Sequence, residues 1–283
     1  MKTIQWFPGH MAKARRQVTE KLKFIDVVFE LVDARIPVSS RNPMMDEIIM
    51  NKPRVLILNK ADLADPVMNV QWKNYYEAKG IPTVIMNAHQ GEGIKTLTDA
   101  AKRATKEKFD KLRAKGVVTP RAIRALILGI PNVGKSTLIN RLARKNIAKT
   151  GDRPGVTTAQ QWVKVGKELE LLDTPGILWP KFEDERIGMH LAITGAIKDT
   201  ILPLQDIGFY TIQWLKENYR TSFFERYGFP DTMEDSLAFM EYLAKKQNFV
   251  SQENIDYDRT AEFLLRDIRS GRLGRMTLDV FDQ

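Results

Sequence analysis

Gly129-Ile-Pro-Asn-Val-Gly-Lys135-Ser136 decides how the rest of the chain is read. An apolar run, Arg124–Leu128, precedes it, and a segment with helical patterning from Lys135 to about Arg144 follows. A glycine-rich turn between strand and helix lets backbone N–H groups curl around phosphate oxygens, and the helix adds its positive end. Lys135 is placed to reach the outer phosphates of a nucleotide, and Ser136 to hold Mg²⁺. An ordinary glycine turn needs neither the lysine and hydroxyl nor this strand–helix setting.

Further along, Gln161–Val165 and Glu168–Leu172 read as a hairpin around Gly166 and Lys167, running into Asp173-Thr-Pro-Gly176. A carboxylate at that point can bind Mg²⁺ through water, and the Gly176 N–H can sense a terminal phosphate. Asp152-Arg-Pro-Gly-Val-Thr157-Thr158 lies between the two motifs. A hydroxyl from it can complete the Mg²⁺ shell; the spacing favours Thr157 and leaves Thr158 open.

Towards the N-terminus, Asn59-Lys60-Ala61-Asp62 follows the apolar strand Arg54–Leu58. A fixed Asp62 accepts two hydrogen bonds from guanine, at N1–H and the amino group, where adenine offers no such pair. Asn59 can donate to purine N7, and the Lys60 stem can pack on the base. A polar match of this kind discriminates far better than apolar contact.

Val27–Val32 and Ile81–Met86 read as further buried strands, and residues 11–24, Asn42–Met50, Val67–Lys79 and Ile94–Ala114 as helices. This alternation predicts an α/β fold with a mostly parallel sheet covered on both faces. After about Leu191 clear strands stop, and Leu204–Tyr219, Met233–Lys246 and Tyr257–Arg269 pattern as helices. The expected division is residues 1–190 as the nucleotide domain with a basic N-terminal segment, and 191–283 as a small all-helical domain.

Zero cysteines among 283 residues exclude a disulfide framework, thiolate metal sites and cysteine catalysis. Three histidines leave little room for a zinc site built from imidazoles; His190 reads as structural or solvent-facing. No run approaches the roughly 20 apolar residues of a membrane helix, and the N-terminus lacks a signal-peptide core. A cytoplasmic protein is expected. The net charge of +9 is uneven: residues 1–194 carry 33 basic and 20 acidic side chains, residues 195–283 carry 11 and 15. Basic stretches at Lys13–Lys23 and Lys102–Lys115, with Arg121 and Arg124, suit phosphate backbones. In the acidic C-terminal part, Arg266, Arg269, Arg272 and Arg275 recur every third residue, although Gly271 and Gly274 argue against a long helix there.

The motif order completes the reading. In the ordinary arrangement of translation-factor type GTPases the phosphate loop comes first, then the switch Thr, DxxG, NKxD and a short exit loop. Here Asn59–Asp62 and the exit loop Asn87-Ala88-His89 come before Gly129–Ser136, Thr157 and Asp173–Gly176. The sequence resembles the circularly permuted GTPase family, in which the same sheet is cut in one loop and rejoined at another. Within that family the opening Ile4-Gln-Trp-Phe-Pro-Gly-His10-Met-Ala-Lys13 and Trp179-Pro-Lys-Phe-Glu183 are similar to members acting in late assembly of the bacterial large ribosomal subunit.

That resemblance implies a circularly permuted P-loop GTPase domain followed by a helical domain that touches ribosomal RNA, with the Arg266–Arg275 cluster as its contact. It implies GTP hydrolysis stimulated by the large (50S) subunit, binding governed by the nucleotide, and release on hydrolysis. The nucleotide set it implies is Asn59, Lys60, Asp62, Asn87, Ala88, His89, Asn132, Val133, Gly134, Lys135, Ser136, Thr137, Thr157 and Gly176. Mg²⁺ belongs with Ser136, Thr157 and Asp173, and K⁺ with Asn132, as in GTPases carrying Asn at that place. The water-orienting Gln found after DxxG in many GTPases is Ile177 here, followed by Leu178, and an apolar side chain cannot orient water. The resemblance gives that task to His10, acting with Lys135 and Gly176. Ala88 and His89 stand where the exit loop usually has Ser-Ala, leaving backbone donors for guanine O6. The expected partners are guanine nucleotide, the large subunit and its rRNA, with no membrane and a monomeric chain. The other readings are a nucleotide-gated RNA-binding protein with incidental hydrolysis, or a GTPase acting on another RNA.

Overall fold

Strict alternation along the strands sends successive side chains to opposite faces, and both faces are apolar. The computed structural model describes residues 16, 18–117, 121–144, 161–174, 176, 182, 184–251 and 254–281. Its main sheet contains β1 (Val27–Asp33), β2 (Arg54–Asn59), β3 (Thr83–Ile85), β4 (Ile123–Gly129), β5 (Gln161–Val165) and β6 (Leu169–Asp173). Their order is β3-β2-β1-β4-β6-β5, and every pair is parallel except β5–β6. Val27, Phe29, Leu31, Val55, Ile57, Ala125 and Ile127 face one core, shared with α3 (Ile94–Ala114) and α4 (Lys135–Ala143). On the other face Val28, Leu126, Leu128 and Leu172 pack on Val18, Leu22 and α1 (Met45–Ile49). There too Val32, Leu56 and Leu58 pack on Trp72 and Tyr76 of α2 (Pro66–Ala78). Burial on both sides is what a sheet with parallel crossovers requires.

The strand order carries the permutation. From β1 the chain winds outward through β2 and β3; from β4 it crosses the other way to the edge strand β5 and returns antiparallel as β6, beside β4. The reversal lies between β1 and β4, and ligands of such sheets bind beyond the carboxyl ends of the strands at that point. The base motif follows β2 and the phosphate loop follows β4, so both open onto this edge.

The helical part comprises α5 (Glu185–Ile193), α6 (Leu204–Asn218), α7 (Arg220–Tyr227), α8 (Ser236–Lys246) and α9 (Tyr257–Arg269), with a short pair β7 (Val250–Ser251) and β8 (Asn254–Ile255). Residue 190, the expected division, lies inside α5. The apolar core continues past it: Leu191, Ala192 and Ile193 join the sheet to Ile207, Phe223, Phe239 and Leu264 in one cluster. Packed rings (Phe223, Phe224, Phe229, Phe239) fill its centre, with Phe229 and Phe239 edge to face at 4.6 Å. Of the five helices, α5 and α7 escaped the sequence patterning. The N-cap of α7, Tyr219, makes no side-chain capping bond, so no start signal marks the break after α6. Among the described residues no helix is long and apolar enough to cross a membrane.

After α9 the chain turns back on the sheet domain as a strap, residues 271–281. Leu278 N–H donates to Arg35 O at 2.7 Å, Trp72 Nε1–H donates to Asp279 O at 3.0 Å, and Phe281 stacks on Trp72 at 4.0 Å. The Asp279 carboxylate accepts from the N–H groups of Val38 and Ser39 and from Ser39 Oγ, and meets His190 Nδ1 at 2.7 Å. His190 is a buried structural residue, its Nε2 lying 3.0 Å from the Tyr210 hydroxyl.

Three members of the expected arginine edge have partners within the chain, and Arg266 and Arg272 are exposed. Arg269 bonds Ala192 O, Ile193 O and the Asp199 carboxylate; Arg272 pairs with Asp267; Arg275 bonds Ala61 O and Ala64 O. The C-terminal end of α5 presents the carbonyls that Arg269 takes, and the turn after β2 presents those that Arg275 takes from the strap.

Candidate nucleotide site

The turn after β2 carries the first half of the site. Asn59 ends that strand almost fully buried, and its amide is engaged at both ends. Nδ2 donates to Val133 O at 2.7 Å, and Oδ1 accepts from Ala88 N–H at 3.0 Å. One side chain thus ties the phosphate loop to the exit loop after β3. These two bonds fix the amide's orientation and use one of the two Nδ2 hydrogens, leaving the other for the expected contact with purine N7. Gly134, at φ +98°, lies against the same amide, and a Cβ there would meet Asn59 Nδ2. The left-handed backbone and the close approach both require glycine.

In the exit loop, Asn87 N–H bonds Glu92 O, Gln90 N–H bonds Asn87 Oδ1, and the Gly91 and Glu92 N–H groups share Asn87 O. With Ala88 N–H on Asn59, the His89 N–H is left without an acceptor among the described residues, and His89 is exposed. Arg141 of α4 reaches back to Gln90 O, pinning this loop to the helix that follows the phosphate loop.

Asp62 is exposed, and its carboxylate bonds none of the described residues. Beside it, Lys60 sits at φ +60° and places Nζ 3.0 Å from Asp33 Oδ2. Asp33 closes β1 and is buried. Arg35 grips it with two parallel bonds, Nε to Oδ1 at 2.9 Å and Nη2 to Oδ2 at 2.7 Å. Burial pushes the Asp33 carboxyl up, but the Arg35 and Lys60 charges and the Arg35 donors outweigh it and hold it well below the usual carboxylate range. Sequence patterning missed this pair; its signal is a charged Asp-x-Arg closing an otherwise apolar strand.

Removing the carboxylate charge strands a buried guanidinium. Asp33→Asn is expected to cost about 3 kcal/mol at neutral pH. Because the folded-state value is depressed, the contribution is complete above the unfolded value, about pH 4, and drains away as pH falls towards the folded value. Urea unfolding should show the full gap between wild type and variant at pH 7 and a narrowing gap below pH ~4. A gap independent of pH would refute the assignment.

The second half of the site follows β4. Gly134 caps α4, so the first turn of the helix opens directly from the loop. Lys135 is buried, its Nζ donating to Ile130 O at 2.8 Å and Gly129 O at 3.2 Å. Ser136 and Thr137 share that first turn, half-buried. Asn132, at φ +60°, donates from Nδ2 to Gly195 O at 2.8 Å, which joins the loop to the turn after α5. β6 runs beside β4 and delivers Asp173 to the same edge; Thr174 anchors there by donating to Ile127 O. Gly176 lies against the phosphate loop, where a Cβ would be 2.6 Å from Pro131 N.

Asn59, Ala88, Val133, Gly134 and Gly176 therefore converge on one edge, with Lys60, Asp62, Asn87, His89, Asn132, Lys135, Ser136 and Thr137 around them. His10, Thr157, Ile177 and Leu178 lie outside the described residues, as does the side chain of Asp173. The oxygen donors at hand suit a hard cation: a hydroxyl at the start of α4 and a carboxylate at the end of β6 are what Mg²⁺ takes together with phosphate oxygens.

Comparison with known proteins supports this architecture. A family profile described as "50S ribosome-binding GTPase" matches residues 124–228. Ribosome biogenesis GTPase A of Bacillus licheniformis is 61% identical over 277 residues, covering 98% of each chain. Among solved structures, the GDP-bound YlqF of T. maritima superposes with a TM-score of 0.69 at 23% identity, covering 93% of this chain and 98% of that one. Its GNP-bound form gives 0.66 at 25% identity, over 94% and 97%.

Proposed function

The chain belongs to the ribosome biogenesis GTPase A family, whose members hydrolyse GTP in building ribosomes, and from that premise we propose that its target is the large (50S) subunit late in assembly. The GTP-bound form holds the pre-50S particle and its rRNA, and hydrolysis releases it. The observation that carries the reading is Asn59, whose amide joins the base-recognition turn to the phosphate loop and makes one nucleotide site from two distant parts of the chain.

In that site Asp62 accepts from guanine N1–H and the 2-amino group, and the stem of Lys60 covers the base. The His89 N–H, without an acceptor among the described residues, is the donor for guanine O6. Lys135 turns its ammonium from the Gly129 and Ile130 carbonyls to the β- and γ-phosphates, and the Gly176 N–H reads the γ-phosphate. Ser136 and Asp173, with Thr157, hold Mg²⁺, which offsets the charge that grows on the phosphates during transfer. Asn132 is the place for K⁺ in an analogous role. With Ile177 and Leu178 unable to orient water, His10 takes that task, and intrinsic turnover is slow until the subunit completes the site.

The basic face of α3 suits rRNA. Its pairs (Lys102–Glu168, Lys106–Asp110, Lys111–Glu107) are solvent-exposed, so exchanging them for phosphate contacts costs little. The protein works as a cytoplasmic monomer. Cosedimentation with purified 50S and 30S subunits tests the proposal, with turnover measured in K⁺ and in Na⁺. The GTP-analogue form should pellet with 50S, the GDP form should not, and 50S should accelerate hydrolysis. Equal binding of both forms, or preference for 30S, would overturn it. Full assembly by a variant that cannot hydrolyse GTP would favour the nucleotide-gated RNA-binding reading instead.

A further inference from the structure

Asp62 sits in a turn closed by one bond of its own, Leu63 N–H to Lys60 O at 2.9 Å. Lys60 adopts a left-handed conformation that lysine rarely visits. The turn's outer side is held by the strap. Arg275 Nη2 donates to Ala61 O at 2.7 Å and its Nε donates to Ala64 O at 2.9 Å. Between these carbonyls Leu63 O accepts from Met276 N–H at 3.0 Å. Next along, Asp65 N–H donates to Thr277 Oγ1 at 3.2 Å. On the inner side Ala61 N–H bonds Met86 O at 3.1 Å, and Asn69 Nδ2 donates to Ala61 O at 3.2 Å. The carbonyls on both sides of Asp62 are thus captured by one guanidinium, while its carboxylate stays exposed.

We propose that Arg275 is a positioning residue for guanine recognition: its fork clamps the turn on either side of Asp62 and so fixes where that carboxylate meets the base. The proposal rests on the reading that Asp62 recognises guanine. The fork geometry matters, because a planar guanidinium with spaced donors spans two carbonyls and a lysine ammonium acts as a single point. It also links the helical part to the base, since the strap continues directly from α9 and is fastened further on through Asp279 to Ser39 and His190.

Inosine lacks the 2-amino group, so the ratio of ITP to GTP dissociation constants reads the bond between that group and Asp62. In the full chain, Arg275→Ala is expected to raise the Kd of both GDP and GTP about tenfold and to bring the ITP/GTP ratio down towards 1. KM for GTP should rise far more than kcat falls. General destabilisation weakens both nucleotides in proportion and leaves the ratio where it was. Arg275→Lys should give an intermediate ratio, and it decides the matter if Arg275→Ala does not fold. A wild-type ratio in Arg275→Ala, or in Arg275→Lys where the alanine variant is unfolded, overturns the proposal. Should the wild type itself bind ITP and GTP equally, the reading of Asp62 fails, and the proposal with it. Should the wild type discriminate and the variant discriminate equally well, the clamp alone is refuted.

Discussion

Asp62→Asn is expected to convert the proposed guanine site into one that prefers xanthine. The carboxylate accepts from two guanine donors; an amide in its place turns an N–H towards one of them and leaves a donor facing a donor. Xanthine carries a carbonyl where guanine has its amino group, so the new N–H finds an acceptor. Sites built around a hydrogen-bonding match reject the mismatched ligand by about 10⁴-fold. GTP affinity should therefore fall by about two to four orders of magnitude while XTP affinity rises. The fold should be indifferent, because Asp62 is exposed and bonds none of the described residues, and such surface changes stay within about 0.5 kcal/mol. Competition among GTP, XTP and ATP, with a thermal melt alongside, checks both halves. If the variant keeps its GTP affinity, base recognition has been assigned to the wrong residue.

Lys135→Ala should reduce kcat/KM for GTP by about 10³-fold, the scale on which a fixed donor or cation at the reacting phosphates acts. Its cost to the free protein is separate. Nζ now bonds the Gly129 and Ile130 carbonyls, so its loss uncovers two acceptors at the turn, about 1–3 kcal/mol. Single-turnover hydrolysis and urea unfolding measure the two effects independently. Turnover within tenfold of wild type would remove Lys135 from the phosphate site.

Chain order, glycine spacing and apolar runs were enough to read the sheet and its permutation. Val27–Asp33, Arg54–Asn59 and Ile123–Gly129 are buried along their lengths and could be nothing but central strands. What stayed illegible depends on partners far along the chain. Leu273, Met276 and Leu278 show neither a helical nor a strand period, because the strap is held by hydrogen bonds to Leu63, Arg35 and Asp65 rather than by a repeating face. Of the arginines at and beyond the end of α9, Arg269 and Arg275 tie to carbonyls far along the chain, which one dimension does not show, while Arg266 and Arg272 are exposed. Asn59 was readable as a site residue, but its task as a bridge depends on Val133 and Ala88 arriving at the same place. Asp33 and Arg35 lie two residues apart, yet only their burial separates a tight ion pair from an ordinary turn.

The clamp on Ala61 spans 214 residues of sequence. During translation at about 5–20 residues per second, the turn bearing Asp62 waits some 10–40 s for its arginine. A product broken off in that interval can contain every nucleotide motif and still lack the clasp on its base pocket. Such a fragment would compete poorly for guanine nucleotide with the finished protein.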